Sequence, residues 1–178
     1  FDYAPDYKYY QSDVTRVFPA NGKFTPRQRE LYAIYLKLYQ AVISSIKVHA
    51  TTRDVKAEAG RKMTAIIAAY PFTDEKIKAA AVNMAAAYQN PGGGGLGHAV
   101  GMEVHDVGGT AATVLEPGRV FTIEPQLRVE DEHQGIRLED MLLITETGCE
   151  NLSAFVPIEI ADIEKLMKEP GLSAARVK

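Results

Sequence analysis

The chain has 178 residues, 46% of them apolar, enough for one folded domain with a sizeable core; that excludes a disordered chain. A net charge of −3 and a pI near 5.8, with no basic stripe, argue against nucleic acid or a membrane surface as partner. The single cysteine, Cys149, excludes an intrachain disulfide and a cysteine metal cage. Sparse cysteine favours a cytoplasmic location without fixing it.

In chain order, residues 1–18 read as two strands around "PDYK". The tyrosines of residues 3–10 are expected to pack or to line a cleft wall. Thr25, Pro26 and Gln28 have the spacing of an N-cap, a first helical proline and a capping box, and apolar residues recur at helical spacing from Leu31 to Ile46. A second helix is expected from "TTRD" to about Tyr70, and an alanine-rich third from "PFTDEK" to about Tyr88. The run "GGGGLG" follows. It contains a GxGxxG-like spacing, but a helix precedes it and a strand follows, the reverse of a dinucleotide loop. From Arg119 to about Ile144 the pattern has period two, and a short helix closes at about Glu159–Met167. Cys149 in "TETGCENL" reads as a turn residue. No repeat or linker divides the chain.

The segment "RVFTIEPQLRVEDEHQGIRLEDMLLI" reads as a hairpin turning through "EDEHQG". Phe121, Ile123, Leu127 and Val129 share one face with Ile136, Leu138, Leu142 and Ile144. Glu124, Arg137 and Glu139 lie on the other. Centred between Asp131 and Glu132, the hairpin sets Glu124 opposite Glu139. A hairpin centred between Tyr7 and Lys8 sets Asp2 opposite Asp13. Cross-strand neighbours sit about 4.5–5.5 Å apart, and like charges that close require a cation between them. A strand carboxylate is ordinarily a solvated face, and a lone loop histidine ordinarily structural. Two opposed acid pairs with His98 in a tight glycine loop instead give five ligands for divalent Mn, Fe, Co or Zn.

The segments "FDYAPDYKYYQSDVTRVFPANGKFTPRQRELY", "GLGHAVGMEVHDVGG", "LEPGRVFTIEPQL" and "GIRLEDMLLITETGCENLS" resemble the metallopeptidases of pita-bread fold, in their proline-directed branch of aminopeptidase P and Xaa-Pro dipeptidase. The resemblance implies an α+β fold, an antiparallel curved sheet with helices on its outer face. It also implies two divalent metal ions, Mn in the active form, held by Asp2, Asp13, His98, Glu124 and Glu139, with Asp13 and Glu139 bridging. Glu124 would also shuttle a proton, His105 would contact substrate, and Arg137 would stand beside the last ligand. The implied reaction is hydrolysis of a Xaa-Pro bond near a free N-terminus. The implied partners are a peptide with proline at its second position, an N-terminal fragment of the same protein and further copies in a homo-oligomer. Residues 1–178 would form the C-terminal part of a catalytic domain whose upstream part lies outside this chain. Where the family often carries a further histidine, this sequence has Gly94. That departure leaves two alternatives, a non-catalytic peptide- or protein-binding module and another hydrolase or lyase chemistry on the same scaffold.

Overall fold

A computed structural model of the chain describes residues 1–90, 92, 95–108 and 113–171. Gly94 lies outside the described residues.

Three long helices follow the sequence signals closely. Helix α1 spans Pro26–Ile43, α2 spans Thr52–Ala69 and α3 spans Glu75–Gln89. The Thr25 hydroxyl accepts from the Gln28 backbone N–H at 3.2 Å, and the Gln28 side chain accepts from Thr25 N–H at 2.9 Å. This capping box satisfies two backbone donors that the first turn leaves open. Thr51 and Asp54 repeat it on α2. Helix α1 buries Tyr32, Ile34, Tyr35, Leu38 and Val42 completely. These side chains join Val55, Met63, Ile77 and the sheet residues Ile123, Leu127, Leu138 and Leu142 in one core. The short helix α4, Ile160–Leu166, packs against α1.

The strands are short and antiparallel. β1 (Asp2–Tyr3) pairs with β4 (Val14–Thr15), and β2 (Asp6–Tyr7) pairs with β3 (Tyr10–Gln11). β5 (Val120–Ile123) and β6 (Gln126–Val129) run into a 3-10 turn at Glu130–Glu132. β7 (Gln134–Arg137) and β8 (Asp140–Thr145) return, and β9 (Gly148–Asn151) adds a third strand beside β8. Ile123 faces Asp140 and Gln126 faces Arg137, so the expected register of Glu124 opposite Glu139 lies between them. Glu139 N–H donates to Thr15 C=O at 3.1 Å, which ties the N-terminal hairpin to the later one. No helix is long and apolar enough to cross a membrane among the described residues.

Three expectations are corrected. The first hairpin turns at Lys8–Tyr9, where both φ angles are positive, 52° and 72°, one residue later than expected. Asp2 therefore faces Thr15, not Asp13. A one-residue shift of the turn moves every partner by two, which keeps Asp2 and Asp13 on one face as diagonal neighbours. Tyr3, Tyr7, Tyr9 and Tyr10 are exposed instead of packed, because the two-residue strands around them cover no part of the core. Cys149 lies in β9 opposite Ile144 and packs against the core; Glu146 and Thr147 make the turn.

Candidate metal centre

The chain brings the expected ligands together from three segments. Glu139 is fully buried at the β7–β8 junction, Asp13 is buried just before β4, and Glu124 follows β5. His98 reaches this cluster from the glycine loop. Its Nε2 lies 3.4 Å from Asp13 Oδ2, 3.4 Å from Glu124 Oε1 and 3.5 Å from Glu139 Oε1. The backbone beside it is fixed to β5: Thr122 N–H donates to His98 C=O at 2.9 Å, and His98 N–H donates to Thr122 Oγ1 at 3.1 Å. That approach requires glycine at position 97, where a Cβ would stand 2.0 Å from the Thr122 carbonyl oxygen. The His105 ring meets that of His98 edge-on, with centroids 4.2 Å apart. It is itself exposed.

Three sets of donor atoms lie within 4.8 Å of one another: His98–Glu124–Glu139, Asp2–Asp13–Glu139 and Asp13–His98–His105. Asp13, His98 and Glu139 each belong to two of these sets. Asp2 is exposed and is held at the rim by Arg137 and by Thr15 Oγ1 at 3.1 Å. Arg137 lies among the acids, with Nη1 3.3 Å from Glu124 Oε2 and Nη2 3.6 Å from Glu139 Oε2.

The electrostatics are those of acids crowded away from water. Burial pushes the Asp13 carboxyl up to about 6, and the charges of Glu139 and Asp2 add to that against the pull of His98 and Arg137. Burial also raises Glu139, with Glu124 and Asp2 adding their charges, while the Thr15 hydroxyl and Arg137 oppose the rise. At Asp2 the same desolvation is outweighed by hydrogen bonds from Thr15 and Arg137, so its carboxyl lies below the usual range. Glu139 Oε1 is buried without a hydrogen-bond partner. An orphaned carboxylate oxygen, an imidazole nitrogen about 3.5 Å away and three more carboxylates form a donor set that fits a divalent cation.

Sequence reasoning missed the residues behind the acids. Thr15 Oγ1 sits 2.7 Å from Glu139 Oε2 and accepts from Arg137 Nη2 at 2.8 Å. Arg16, whose side chain is only 9% exposed, pairs with the buried Asp140 at 2.6 Å. Its Nη1 also donates to the carbonyls of Glu139 and Thr15 at 2.7 and 2.9 Å. Tyr39 on α1 donates to the other Asp140 oxygen. One signal was available. Asp140 occupies the same alternation phase as Leu138 and Leu142, and an acid on an apolar face requires a buried partner.

The chain is similar to known proteins over most of its length. The model of metallopeptidase family M24 matches residues 1–146. The Xaa-Pro aminopeptidase of Escherichia coli (strain K12) is 36% identical over 177 residues, covering 91% of this chain and 39% of that protein. The Xaa-Pro aminopeptidase of Haemophilus influenzae is 35% identical over 173 residues, covering 91% and 40%. Among solved structures, a putative aminopeptidase P from Bacillus anthracis superposes with a TM-score of 0.72 at 33% identity, covering 92% of this chain and 37% of the other. Zn-substituted E. coli aminopeptidase P in complex with product gives 0.69 at 35% identity, covering 97% and 40%. The chain thus spans about two fifths of the length of the relatives it matches. Its α+β architecture is that of the pita-bread fold, and the chain belongs to metallopeptidase family M24.

Proposed function

We propose that this chain forms the C-terminal part of a catalytic domain that hydrolyses Xaa-Pro bonds near a free N-terminus with two divalent metal ions, Mn in the active form. The observation that carries the reading is the overlap of the donor sets, in which His98 and two carboxylates, Asp13 and Glu139, are each shared. Shared carboxylates suit a pair of ions roughly 3.5–4 Å apart. Asp2, Asp13, His98, Glu124 and Glu139 would hold them.

Bound divalent ions would supply Lewis acidity toward the substrate carbonyl and lower the pKa of a water to near 7. The chain supplies the remaining groups. Glu124, half-buried at the edge of the cluster, moves a proton from the attacking water to the leaving nitrogen. His105, exposed beside His98, contacts the substrate. Arg137 offsets the negative charge of the acids and faces the developing charge on the substrate. A prolyl nitrogen carries no N–H, so the site needs no acceptor for it and can select the ring by shape. The names of the relatives, Xaa-Pro aminopeptidases, support this substrate class.

The test is turnover of matched Xaa-Pro and Xaa-Ala peptides by the complete protein, with metal content measured on the same sample. Preferential cleavage of Xaa-Pro at more than one ion per site is the expected result. Equal cleavage of both peptides removes the proline assignment. Metal uptake without hydrolysis of any peptide favours the binding-module alternative.

A further inference from the structure

The two acidic strands have a gap in their ladder at the point where they carry the acids. Ile123 pairs with Asp140 on one side and Gln126 with Arg137 on the other. In the same register Pro125 faces Leu138 between them. Proline has no N–H to donate, so this pair loses one of its two rungs outright. The other rung is not closed directly. Leu138 N–H donates to Tyr35 Oη at 2.6 Å, and Tyr35 Oη donates to Pro125 C=O at 2.8 Å. A side chain from α1 has entered the sheet and stands where a single N–H···O bond of about 2.9 Å would otherwise close the strands.

We infer that Tyr35 is a positioning residue for the metal centre, its hydroxyl setting the separation between Glu124 and Glu139. This inference rests on the metal-centre reading above. Glu124 immediately precedes Pro125, and Glu139 immediately follows Leu138. The hydroxyl therefore acts one residue away from each carboxylate, from behind the sheet. Tyr35 is fully buried in the core and cannot swing out without opening it. Burial also pushes its pKa well above the ordinary value, so the group stays protonated and able to donate. Its neighbours on the same helix differ. Tyr32 donates to the Ile158 carbonyl at 2.9 Å, far along the chain from the acids, and Tyr39 donates to the Asp140 side chain. Of these three, Tyr35 alone both accepts from one strand and donates to the other. Without its hydroxyl, either Leu138 N–H and Pro125 C=O remain buried and unpaired, or the strands close until they meet. Both outcomes move the acids.

The experiment compares the complete protein with its Tyr35→Phe and Tyr32→Phe variants, each stripped and titrated with Mn²⁺ against a competing chelator. Tyr32→Phe removes a buried hydroxyl that bonds Ile158 and neither of the strands carrying Glu124 and Glu139, and reports general softening of α1. Tyr35→Phe is expected to weaken Mn²⁺ binding about 10–100-fold, the usual effect of removing a group that orients a ligand. Tyr32→Phe should leave it within about threefold, although both variants lose stability. Equal Mn²⁺ affinity in the two variants overturns the inference and leaves Tyr35 a structural residue. If Tyr35→Phe does not fold, 3,5-difluorotyrosine at position 35 keeps the shape and weakens the oxygen as an acceptor from Leu138. A graded loss of Mn²⁺ affinity supports the inference, and no change overturns it. A wild-type protein that takes up no divalent ion overturns the metal-centre reading together with this one.

Discussion

Replacing Arg16 by Met tests whether the buried pair behind Glu139 holds the fold together. The Arg16 side chain is 9% exposed and that of Asp140 1%, with 2.6 Å between them. The substitution keeps the aliphatic stem and removes four carbonyl contacts, to Thr15, Glu139, Ser153 and Val156. Asp140 would retain the Ser153 hydroxyl at 2.6 Å and that of Tyr39, with no cation. Stranding one buried charge in this way costs about 3–5 kcal/mol. At about 2–4 °C per kcal/mol for a domain of about 150–250 residues, the midpoint of the domain that holds this pair should fall by roughly 6–20 °C. Unfolding of the metal-stripped complete protein, followed by far-UV circular dichroism at pH 7, measures this. Desolvation alone would raise Asp140, but hydrogen bonds from Ser153 and Tyr39 and the charge of Arg16 hold its carboxyl below the usual range. A carboxyl depressed in the folded state stabilises the fold above its unfolded pKa of about 3.9, and that contribution is lost as pH falls through the folded value. The deficit of Arg16→Met should therefore be full at pH 7 and shrink below about pH 4. Adding Asp140→Asn removes the stranded charge and should recover part of the loss. A deficit under about 1 kcal/mol, the size of an exposed ion pair, would refute the reasoning. So would a double variant no better than the single one.

Further predictions follow from individual contacts. Gly97→Ala forces a Cβ to 2.0 Å from the Thr122 carbonyl, so it should displace His98 and abolish stoichiometric metal binding, read by elemental analysis; retained metal would clear Gly97 of that role. Glu139→Ala should remove both ions together, because Glu139 belongs to two donor sets; full occupancy in that variant contradicts the ligand assignment. Tyr9→Gly relieves a bulky residue at φ 72° and should stabilise the protein by about 1 kcal/mol in urea unfolding. A loss of stability there would show that the exposed Tyr9 ring makes a contact that matters.

Signals confined to a few neighbouring residues were readable from the sequence. The Thr25–Gln28 box places the start of α1, since both partners lie within one turn. The later hairpin was legible because alternating apolar residues on both sides of a polar turn admit one register that buries them all. The first hairpin offers no such constraint. Its strands bury almost nothing, and Lys8 and Tyr9 adopt left-handed turn geometry without the glycine or asparagine that usually marks it. The support behind the acids was illegible for a different reason. Arg16 and Asp140 are 124 positions apart, and Tyr35 is 103 from Leu138, so nothing in either neighbourhood names the other. The missing N–H of Pro125 could be read, but not that a tyrosine hydroxyl would fill the gap.

The hydrogen bond from Glu139 N–H to Thr15 C=O has a consequence for how the molecule is made. On a ribosome adding about 5–20 residues per second, the 124 positions that separate these partners take on the order of ten seconds to appear. Throughout that interval the hairpin of residues 2–15 lacks the later strand that Glu139 brings to it. A hairpin of two-residue rungs does not persist alone in water. The segment carrying Asp2 and Asp13 therefore gains its tie to the later hairpin only once Glu139 has emerged. Helices α1 to α3, built from near neighbours, can already be in place by then. The donor set is thus completed by a contact between residues far apart in the chain, and a nascent molecule cannot hold a divalent ion with all five ligands until synthesis has passed Glu139.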